Sequence, residues 1–323
     1  VLEQTVAQDL HEMDQSIIES GADRVTERWF HRGDEKNQVC LEILHTPFCG
    51  LNGQVLGLIG YGRNITARKL AEEAMLRQAN FDSLTGLANR THFIQHLQHE
   101  MRVANRSGKA VALLLINLDR FRQINDLLGH GAGDALLLQA GQRIASSVRE
   151  TDSVARLGAD EFAVVLPAIE QLQHIGNVAK KLVARLAEPF ALDQESSQLT
   201  ASIGIALYPV DGQNPDALLK SAEQAMYHAK TSGRNRYCHF TPALQEAATR
   251  RRQLLRDLPH VIETGQLFVC YQPIASLSSG VIHKAEALVR WRHPELGNIS
   301  PADFIPLAEE TGAIMAIGNF VFH

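Results

Sequence analysis

The sequence of 323 residues is 45% hydrophobic and 21% charged, which is the composition of folded globular domains. Its length exceeds that of one ordinary domain and predicts two or three. A formal net charge of −5 and a pI near 6.3 exclude a general nucleic-acid-binding protein, so any polyanion must bind in a local pocket.

Cysteine usage and the apolar segments indicate a cytoplasmic location. The four cysteines are scattered, without a CxxC pair or a metal-binding spacing, as expected of reduced thiols. The longest apolar run, residues 110–116, is far too short to span a membrane. The chain begins at Val1 and stops at His323, directly after an apolar segment, so we expect a fragment of a longer protein. Membrane association is left open, since a tether outside the fragment is compatible with this sequence.

The first 66 residues predict one helix and a small antiparallel sheet. Apolar residues at helical spacing cover residues 1–20, and three strand-like segments with a turn follow: 24–31, 39–47 and 55–65, with the turn at 50–53. Such a meander is too small for a core of its own. Its last part, GQVLGLIGYGRNITARKLAEE, resembles the C-terminal half of a PAS sensor domain. The resemblance implies a partial PAS domain over residues 1–66; the alternative is any other small antiparallel sheet.

A continuous helix is predicted over residues 67–80, which are rich in Ala, Glu, Lys and Arg. A short heptad-like stripe runs along it, interrupted by Arg77: Ala67, Leu70, Ala74 and Phe81. The stripe is compatible with a coiled-coil relay that sets the spacing of two downstream domains, and also with a solvated linker helix. It is too short to decide between the two interpretations.

Residues 81–240 alternate between apolar strands and amphipathic helices. In chain order the patterns predict a strand at 110–118, a helix bearing Phe121, Ile124 and Leu127, a helix around 135–148, a hairpin of 153–157 with 162–166, a helix at about 170–187, a strand at 198–207, a helix at 215–231 and a last strand. This α/β (α+β) order, with antiparallel pairs, predicts a palm-like or ferredoxin-like sheet. A charged helix (243–264) and a strand (267–273) then begin a further domain over residues 241–323.

The hairpin carries two acidic residues at its tip. Residues 156–162 read RLGADEF, so a tight turn holds Asp160 and Glu161 between two apolar strands. Paired carboxylates in such a place suit a divalent cation and a nucleoside triphosphate. The motif resembles the signature of GGDEF domains, which make cyclic di-GMP from two GTP molecules, with Ala159 where that family has glycine. The resemblance implies that Asp160 and Glu161 are catalytic.

Two further motifs extend the resemblance over residues 81–240. Residues 82–90 (DSLTGLANR) match the DxLTGLxNR sequence that opens GGDEF domains, and residues 117–134 keep the spacing of the family run DxDxFKxxNDxxGHxxGD. The resemblance implies that Asn125 and Asp134 hold guanine, whose donor–acceptor edge an amide and a carboxylate can satisfy. It also implies that the loop after the first strand binds the GTP phosphates through backbone N–H groups.

Lys230 and Arg234 match the family pattern AKxxGRN, within the local sequence AKTSGRN. The resemblance implies that these two cations clasp the triphosphate of GTP. The alternative reading of the local sequence is that they complement a helix C-terminus before the stop at Gly233. The two roles are compatible with each other.

Asn117 departs from the family pattern. In active members an aspartate stands here and shares the metal ions with the position that matches Asp160. A neutral amide removes one negative charge from a site for Mg²⁺ (or Mn²⁺), which prefers charged oxygen ligands. Strand alternation puts Asp119 on the same face, where partial substitution for the missing carboxylate is one interpretation. Together with the methyl group of Ala159 in the turn, the substitution predicts weakened activity.

Arg149 and Asp152 form an RxxD motif shortly before the hairpin. GGDEF domains have their product-inhibition site at this place, and the resemblance implies that both residues bind cyclic di-GMP. The alternative is an ordinary surface ion pair.

The last third of the chain resembles the start of an EAL domain, a family that hydrolyses cyclic di-GMP with two metal ions. The matching segments read YQPI from Tyr271, EALVRW from Glu286 and FIPLAEETG from Phe304. The resemblance implies that Glu286 is the first metal ligand and that Gln272 and Arg290 contact the ligand. The family's later strands are missing, so we expect residues 241–323 to form neither the TIM-like barrel nor a hydrolytic site.

Two hypotheses for the function follow from these resemblances. In the first, the domain is a weakened diguanylate cyclase that converts two GTP molecules to cyclic di-GMP and two pyrophosphates. In the second, it binds GTP or cyclic di-GMP without turnover and regulates an EAL phosphodiesterase. Because each GGDEF domain holds one GTP, the resemblance also implies a homodimer formed through the relay helix.

Overall fold

The computed structural model describes residues 13–31, 38–51, 54–192 and 195–322. The first twelve residues of the predicted N-terminal helix and residues 52–53 of the predicted turn lie outside this range. The chain forms two compact units, residues 1–95 and 96–323, and each is described by itself. No helix in the described ranges is both long enough and apolar enough to cross a membrane.

The first unit contains the predicted antiparallel sheet. Helix α1 (residues 13–20) precedes three strands in the spatial order β1-β2-β3: β1 Arg24–His31, β2 Gln38–Cys49 and β3 Val55–Asn64. Met13 and Ile17 of α1 are buried, whereas one row across the three strands, Val25–Leu44–Tyr61, is exposed. The three strands confirm the predicted meander. Its assignment to a PAS domain stays a prediction, because many folds share such a sheet.

Helix α2 (Thr66–Asn80) follows β3 and confirms the helix predicted from composition. The Thr66 hydroxyl accepts a hydrogen bond from the Cys40 backbone N–H (2.8 Å), and Arg68 forms an ion pair with Glu27 (3.0 Å). None of the side chains of α2 is buried. Its start is thus tied to the sheet, while its apolar stripe is exposed, which leaves both interpretations of this helix in place.

The second unit is built on a five-stranded sheet with the spatial order β10-β9-β4-β6-β5. Strands β9 and β10 are parallel, and the other neighbours are antiparallel. The elements in chain order are α3 Arg90–Ser107, β4 Ala110–Asp119, α4 Phe121–Leu128, α5 His130–Ala145, β5 Ser153–Gly158, β6 Glu161–Ile169, α6 Leu172–Leu186, β7 Phe190–Leu192, β8 Glu195–Ser197, β9 Thr200–Tyr208, α7 Pro215–Thr231 and β10 Arg236–His239. This mixed α/β architecture confirms the predicted fold class.

Strand β4 lies at the centre of this sheet. Its residues 111–119 are all buried, because β6 and β9 flank it on both sides and helices cover the sheet. The sequence AVALLLINLD is a continuous apolar run, which is typical of a strand buried on both faces. The strand therefore brings its polar C-terminal residues, Asn117 and Asp119, to a rigid edge of the core.

Helix α7 packs directly on β9. The side chain of Asn214 caps the helix by accepting the Ala217 N–H (2.8 Å), and Pro215 occupies the first turn, where a missing N–H costs nothing. A Cβ atom at Gly204 would lie 2.0 Å from the Ala222 carbonyl oxygen and 2.3 Å from the Met226 nitrogen. Only glycine permits this approach, which fixes the end of α7 close to the edge of the sheet.

The structure corrects several predicted boundaries. Helix α5 begins at His130 rather than near 135, because Gly129 (φ 83°) ends α4 and starts the next helix at once. The charged helix predicted at 243–264 ends at Asp257, since Pro259 lacks an N–H and clashes with a continuing helix. Helix α3 and the short β7–β8 hairpin are elements that the sequence patterns did not reveal.

The C-terminal segment has a small core of its own. It comprises α8 Pro242–Asp257, a 3-10 turn Leu258–His260, β11 Leu267–Ala275, β12 Ile282–His293, β13 Gly297–Ile299, α9 Pro301–Thr311 and α10 Ile314–Phe322. The three strands form an antiparallel sheet in the order β11-β12-β13. Trp291 and Phe304 are fully buried and meet edge to face with 5.6 Å between their ring centroids.

Candidate nucleotide site

The acidic hairpin projects from β5 and β6 as predicted. Gly158 pairs with Glu161, so Ala159 and Asp160 form the two-residue tip. Ala159 has φ 31°, in the region that favours glycine. The Arg156 guanidinium donates to the Ala159 carbonyl (2.8 Å), and the Leu118 N–H donates to the Asp160 carbonyl (3.1 Å). These bonds fix the tip against the end of β4 despite the unfavourable φ.

Asn117 lies beside this tip, in register with Glu161 of β6. Its side chain is 6% exposed. The amide oxygen of Asn117 and the carboxylate of Asp160 suit a hard cation in type, but they carry one negative charge fewer than two carboxylates. Within the described ranges, no three Asp, Glu, His or Cys side chains are grouped so as to hold a metal ion. The site therefore retains oxygen donors with a reduced charge.

The Asp119 carboxylate is held by hydrogen bonds from strand β9 and from the loop after α7. It is 4% exposed, and its two oxygens accept hydrogen bonds from the hydroxyls of Thr200 (2.7 Å) and Ser202 (2.8 Å). A third bond comes from the Asn235 backbone N–H (3.2 Å). Strand β9 and the loop after α7 thus contact both oxygens, and the interpretation that Asp119 substitutes for a carboxylate at 117 stays a prediction.

The predicted guanine-binding residues lie on neighbouring helices. Asn125 belongs to α4 and is half-buried, whereas Asp134 is exposed near the start of α5. The Asn125 side-chain oxygen is buried and has no hydrogen-bond partner among the described residues. A Cβ atom at Gly133 would lie 1.9 Å from that oxygen. The Asn125 amide thus packs closely against the backbone at Gly133, and its oxygen can still accept a hydrogen bond.

A cavity of about 420 Å³ opens next to the end of β4. Its walls combine the start of α4 (Arg120, Gln123), the start of β9 (Gln198, Thr200) and Arg234. Arg120 has φ 60° and is the residue at which the chain enters α4. The first backbone N–H groups of α4 have no acceptor within the helix and point out of its N-terminal end, where the cavity lies. Arg234 supplies a positive charge at the rim. Of the two predicted phosphate-binding cations, Arg234 lines the cavity, while Lys230 lies half-buried near the end of α7.

Arg149 and Asp152 form a tight turn rather than an ion pair. The Asp152 carboxylate accepts the Arg149 backbone N–H (2.8 Å), and the Asp152 N–H donates to the Arg149 carbonyl (3.0 Å). Among the described residues the two side chains are not joined as an ion pair, so the alternative interpretation of this motif is wrong. The Arg149 guanidinium is exposed and directed by a fixed backbone.

Comparisons with known proteins agree with this geometry. The family described as "Diguanylate cyclase, GGDEF domain" matches residues 79–236, and the EAL domain family matches residues 253–323. A solved structure comprising only the GGDEF domain of TpbB (YfiN) from Pseudomonas aeruginosa is 39% identical, with a TM-score of 0.51, and the match covers 52% of this chain and 99% of that one. The chain belongs to the GGDEF family. An EAL segment follows the GGDEF domain in the same chain.

Two curated relatives, both from Pseudomonas aeruginosa, are similar to this chain and are described with different activities. MucR, a bifunctional diguanylate cyclase and cyclic di-GMP phosphodiesterase, is 41% identical over 256 residues, which cover 79% of this chain and 37% of MucR. The cyclic di-GMP phosphodiesterase NbdA is 42% identical over 254 residues, covering 77% and 32%. The chain thus spans about a third of the length of these relatives. MucR is described as a cyclase and a phosphodiesterase, whereas NbdA is described as a phosphodiesterase, although both are about equally similar to this chain. The cyclase activity of this GGDEF domain must therefore be argued from its own residues.

The EAL-type residues share one face of the C-terminal sheet. Gln272 of β11 pairs with Glu286 of β12, and Arg290 follows Glu286 by four residues, which keeps it on the same face. Gln272 and Glu286 are exposed, and Arg290 is half-buried. The structure therefore pairs Gln272 with Glu286 and places Arg290 further along the same face of the sheet.

Sequence reasoning missed the residues that surround Asp119 in the GGDEF domain. Thr200 and Ser202 alternate along β9, and Asn235 lies in the loop after α7. The only local signal is the alternation of polar residues in an otherwise apolar strand, TASIGIALY, which indicates polar groups facing a common partner. Their separation in sequence from Asp119 hides that partner.

Proposed function

We propose that the GGDEF domain, residues 81–240, binds GTP and condenses two GTP molecules into cyclic di-GMP at a reduced rate. The observation that carries this proposal is Asn117, a neutral side chain beside the Asp160 tip where a second carboxylate belongs. The rest of the site supports nucleotide binding, since the buried Asn125 oxygen lacks a partner among the described residues and Arg234 lines a cavity at the end of β4.

Each part of the site has a chemical role in this proposal. Asn125 and Asp134 satisfy the donor–acceptor edge of guanine. Arg234 and Lys230 bind the triphosphate and stabilise the charge that develops on the leaving pyrophosphate. A divalent cation, Mg²⁺ or Mn²⁺, held by Asp160 and Asn117 would stabilise negative charge at the reacting phosphate. With one carboxylate fewer, that cation is bound more weakly, which lowers the rate.

The reaction requires two copies of the domain. The 3′-hydroxyl of one GTP attacks the α-phosphate of the other, which releases pyrophosphate, and a second attack in the opposite sense closes the ring. Glu161 lies beside Asp160 at the tip and is the candidate group that accepts the hydroxyl proton. Because one domain holds one GTP, turnover per chain rises with protein concentration if the chain forms a homodimer.

The test combines binding with turnover in the whole chain. Calorimetry with GTP should show binding that the Arg234→Ala variant weakens by about tenfold, the effect of losing one charge-assisted contact. Chromatography should show slow cyclic di-GMP formation that requires Mg²⁺. If GTP does not bind, or if Arg234→Ala binds it as well as the natural chain does, the proposal fails.

A second function, binding of cyclic di-GMP as a regulatory ligand, is favoured by the Arg149–Asp152 turn. Its rigid backbone presents an exposed guanidinium, which suits a phosphate and a guanine edge. An EAL segment follows in the same chain, so product binding here suits control of a phosphodiesterase. The Arg149→Ala variant should lose cyclic di-GMP binding in calorimetry and keep GTP binding; unchanged cyclic di-GMP affinity would refute this role.

A further inference from the structure

Asp119 is a buried acidic residue at the end of β4 whose environment points to a role of its own. Its carboxylate bridges strand β9 and the loop 233–235, which carries Arg234. We propose that Asp119 is a positioning residue for the triphosphate site: it anchors this loop and thereby sets the place of the Arg234 guanidinium. The inference rests on the proposed binding of GTP phosphates by Arg234.

The hydrogen bonds around Asp119 divide into two groups. The Thr200 and Ser202 hydroxyls, at 2.7 and 2.8 Å, orient the carboxylate from the neighbouring strand. The Asn235 N–H, at 3.2 Å, joins the loop to the same oxygen that Thr200 contacts. The sheet therefore fixes the Asp119 carboxylate, and the carboxylate in turn fixes the loop 233–235.

The loop needs such an anchor because its backbone is unfavourable. Gly233, Arg234 and Asn235 have consecutive positive φ angles of 112°, 59° and 47°. Non-glycine residues adopt this region only where surrounding contacts over-determine it. Two backbone bonds do so here: Asn235 N–H to Asp119, and Arg234 N–H to the Ala229 carbonyl (3.0 Å). Without the first bond the loop is held by α7 and β10 at its two ends and by the Arg236 guanidinium, which donates to the Arg234 carbonyl (3.1 Å), but it loses its contact with the central strand β4.

Charge alone predicts the opposite effect of Asp119 on GTP. The residue lines the cavity next to Arg234, and among the described residues no cation forms an ion pair with it. A bare carboxylate at this place repels a triphosphate. The substitution Asp119→Leu removes that repulsion and keeps the branched shape of the side chain, but it leaves no acceptor for the Asn235 N–H. The sign of the change in GTP affinity therefore distinguishes positioning from charge.

The decisive experiment is a double-mutant cycle on the whole chain, read by calorimetry with GTP. Asp119→Leu should weaken GTP binding by about tenfold, as expected for a lost bond to a charged acceptor. In the Arg234→Ala background the same change should have little further effect, because Asp119 acts through Arg234. The loss should be the same with Mg²⁺ and without it, and cyclic di-GMP affinity at Arg149 should not change.

Two control variants accompany the cycle. Asp216→Asn removes one negative charge from an exposed position in the first turn of α7 and should leave GTP binding unchanged. Thr200→Val removes one hydroxyl donor and keeps the carboxylate, so a smaller loss in the same direction is expected. Thermal unfolding checks that each variant is folded, and Thr200→Val carries the test if Asp119→Leu is not.

Three results would overturn the inference while Arg234→Ala still weakens GTP binding. They are unchanged or tighter GTP binding by the folded variants, a loss that adds fully to that of Arg234→Ala, and a loss that appears only with Mg²⁺, which would make Asp119 a metal ligand. If Arg234→Ala itself has no effect, the proposed function fails first and the inference with it.

Discussion

At the scale of single residues, Gly133 decides whether Asn125 can serve as a guanine-binding group. The Asn125 amide occupies the space that any Cβ at position 133 would fill, and its oxygen has no partner among the described residues. A buried acceptor without a partner costs free energy, so the unpaired Asn125 oxygen indicates that a bound ligand supplies the missing donor. The glycine thus belongs to the proposed binding site although it offers no side chain.

Gly133→Ala is expected to weaken GTP binding by at least about tenfold, because the new methyl group displaces the Asn125 amide from its position. Calorimetry with GTP measures this directly. The matched control is Gly131→Ala, two residues earlier in the same helix, where a Cβ meets nothing within 4 Å. Equal GTP affinity in the two variants would contradict the proposed packing of Asn125 against Gly133.

The motifs could locate most site residues but not their connections. The roles of Asn125, Asp134 and Arg234 are implied by the resemblance to GGDEF motifs and stay predictions. The partners of Asp119 were not predicted, since Thr200 lies 81 residues away and each of these polar residues is ordinary by itself. Only the register of β4 with β9 brings them together.

At the scale of secondary structure, the contact of α7 with β9 positions the end of the helix that carries the two proposed phosphate-binding residues. The backbone of α7 approaches Gly204 so closely that a methyl group would meet backbone atoms, which cannot rotate away. Lys230 lies in the last turn of α7, and Arg234 follows it. The helix and the strand therefore act as one rigid support for both cations.

Gly204→Ala should lower the free energy of unfolding by at least about 2 kcal/mol, because the helix must move off the sheet. Urea denaturation measures this change. Gly176→Ala is the control: it lies inside α6, its Cβ would meet only the Tyr237 hydroxyl at 3.7 Å, and alanine should stabilise the helix by about 0.5–1 kcal/mol. A destabilisation of equal size in both variants would refute the packing argument.

Elements with a strong local signal were predicted well. Strand β4 is a long apolar run, and α7 has Asn214 and Pro215 at its start and Gly233 after its end. Helix α3 was missed although Phe93, Leu97, Met101 and Ala104 follow helical spacing, because polar residues dominate the rest of it. The parallel pairing of β10 with β9 depends on long-range contacts and has no local signature.

At the scale of the whole molecule, the C-terminal segment is stabilised by a polar cluster beside its core. The ring of the buried His293 accepts the N–H groups of Glu295 and Leu296 at Nδ1, so Nε2 carries the proton and donates to Asp257 (3.0 Å). Hydrogen bonds from Arg256 and from His293 lower the pKa of the Asp257 carboxyl from 3.8 to about 2. The ionised carboxylate is therefore the form that the fold favours.

This shift predicts how the stability of the segment depends on pH. The contribution of Asp257 is present above pH 3.8 and is lost as the pH falls through about 2, because the folded state then binds the proton as the unfolded state does. Asp257→Asn should thus destabilise the segment near neutral pH and make little difference near pH 2. The fluorescence of Trp291 reports this core, and Trp29→Phe removes the other tryptophan of the chain. A stability difference that is constant with pH would contradict the assignment.

The domain organisation was predictable from sequence to different depths along the chain. The GGDEF and EAL assignments followed from long motifs with fixed spacing, and the family comparisons confirm them. The PAS assignment rests on one short run and stays a prediction. Its three strands were predicted because alternation and turn residues are local signals, whereas a sensor's identity depends on a ligand pocket that such signals do not describe.

The proposed function requires that the neutral Asn117 weakens a nucleotide site whose other predicted residues are present. The direct measurement is the rate of cyclic di-GMP formation by the natural chain and by Asn117→Asp, at saturating GTP and Mg²⁺ and equal protein concentration. Restoring the carboxylate should raise the rate by at least about tenfold, with GTP affinity changed little. Equal rates in the two proteins, with GTP bound by both, would contradict the account.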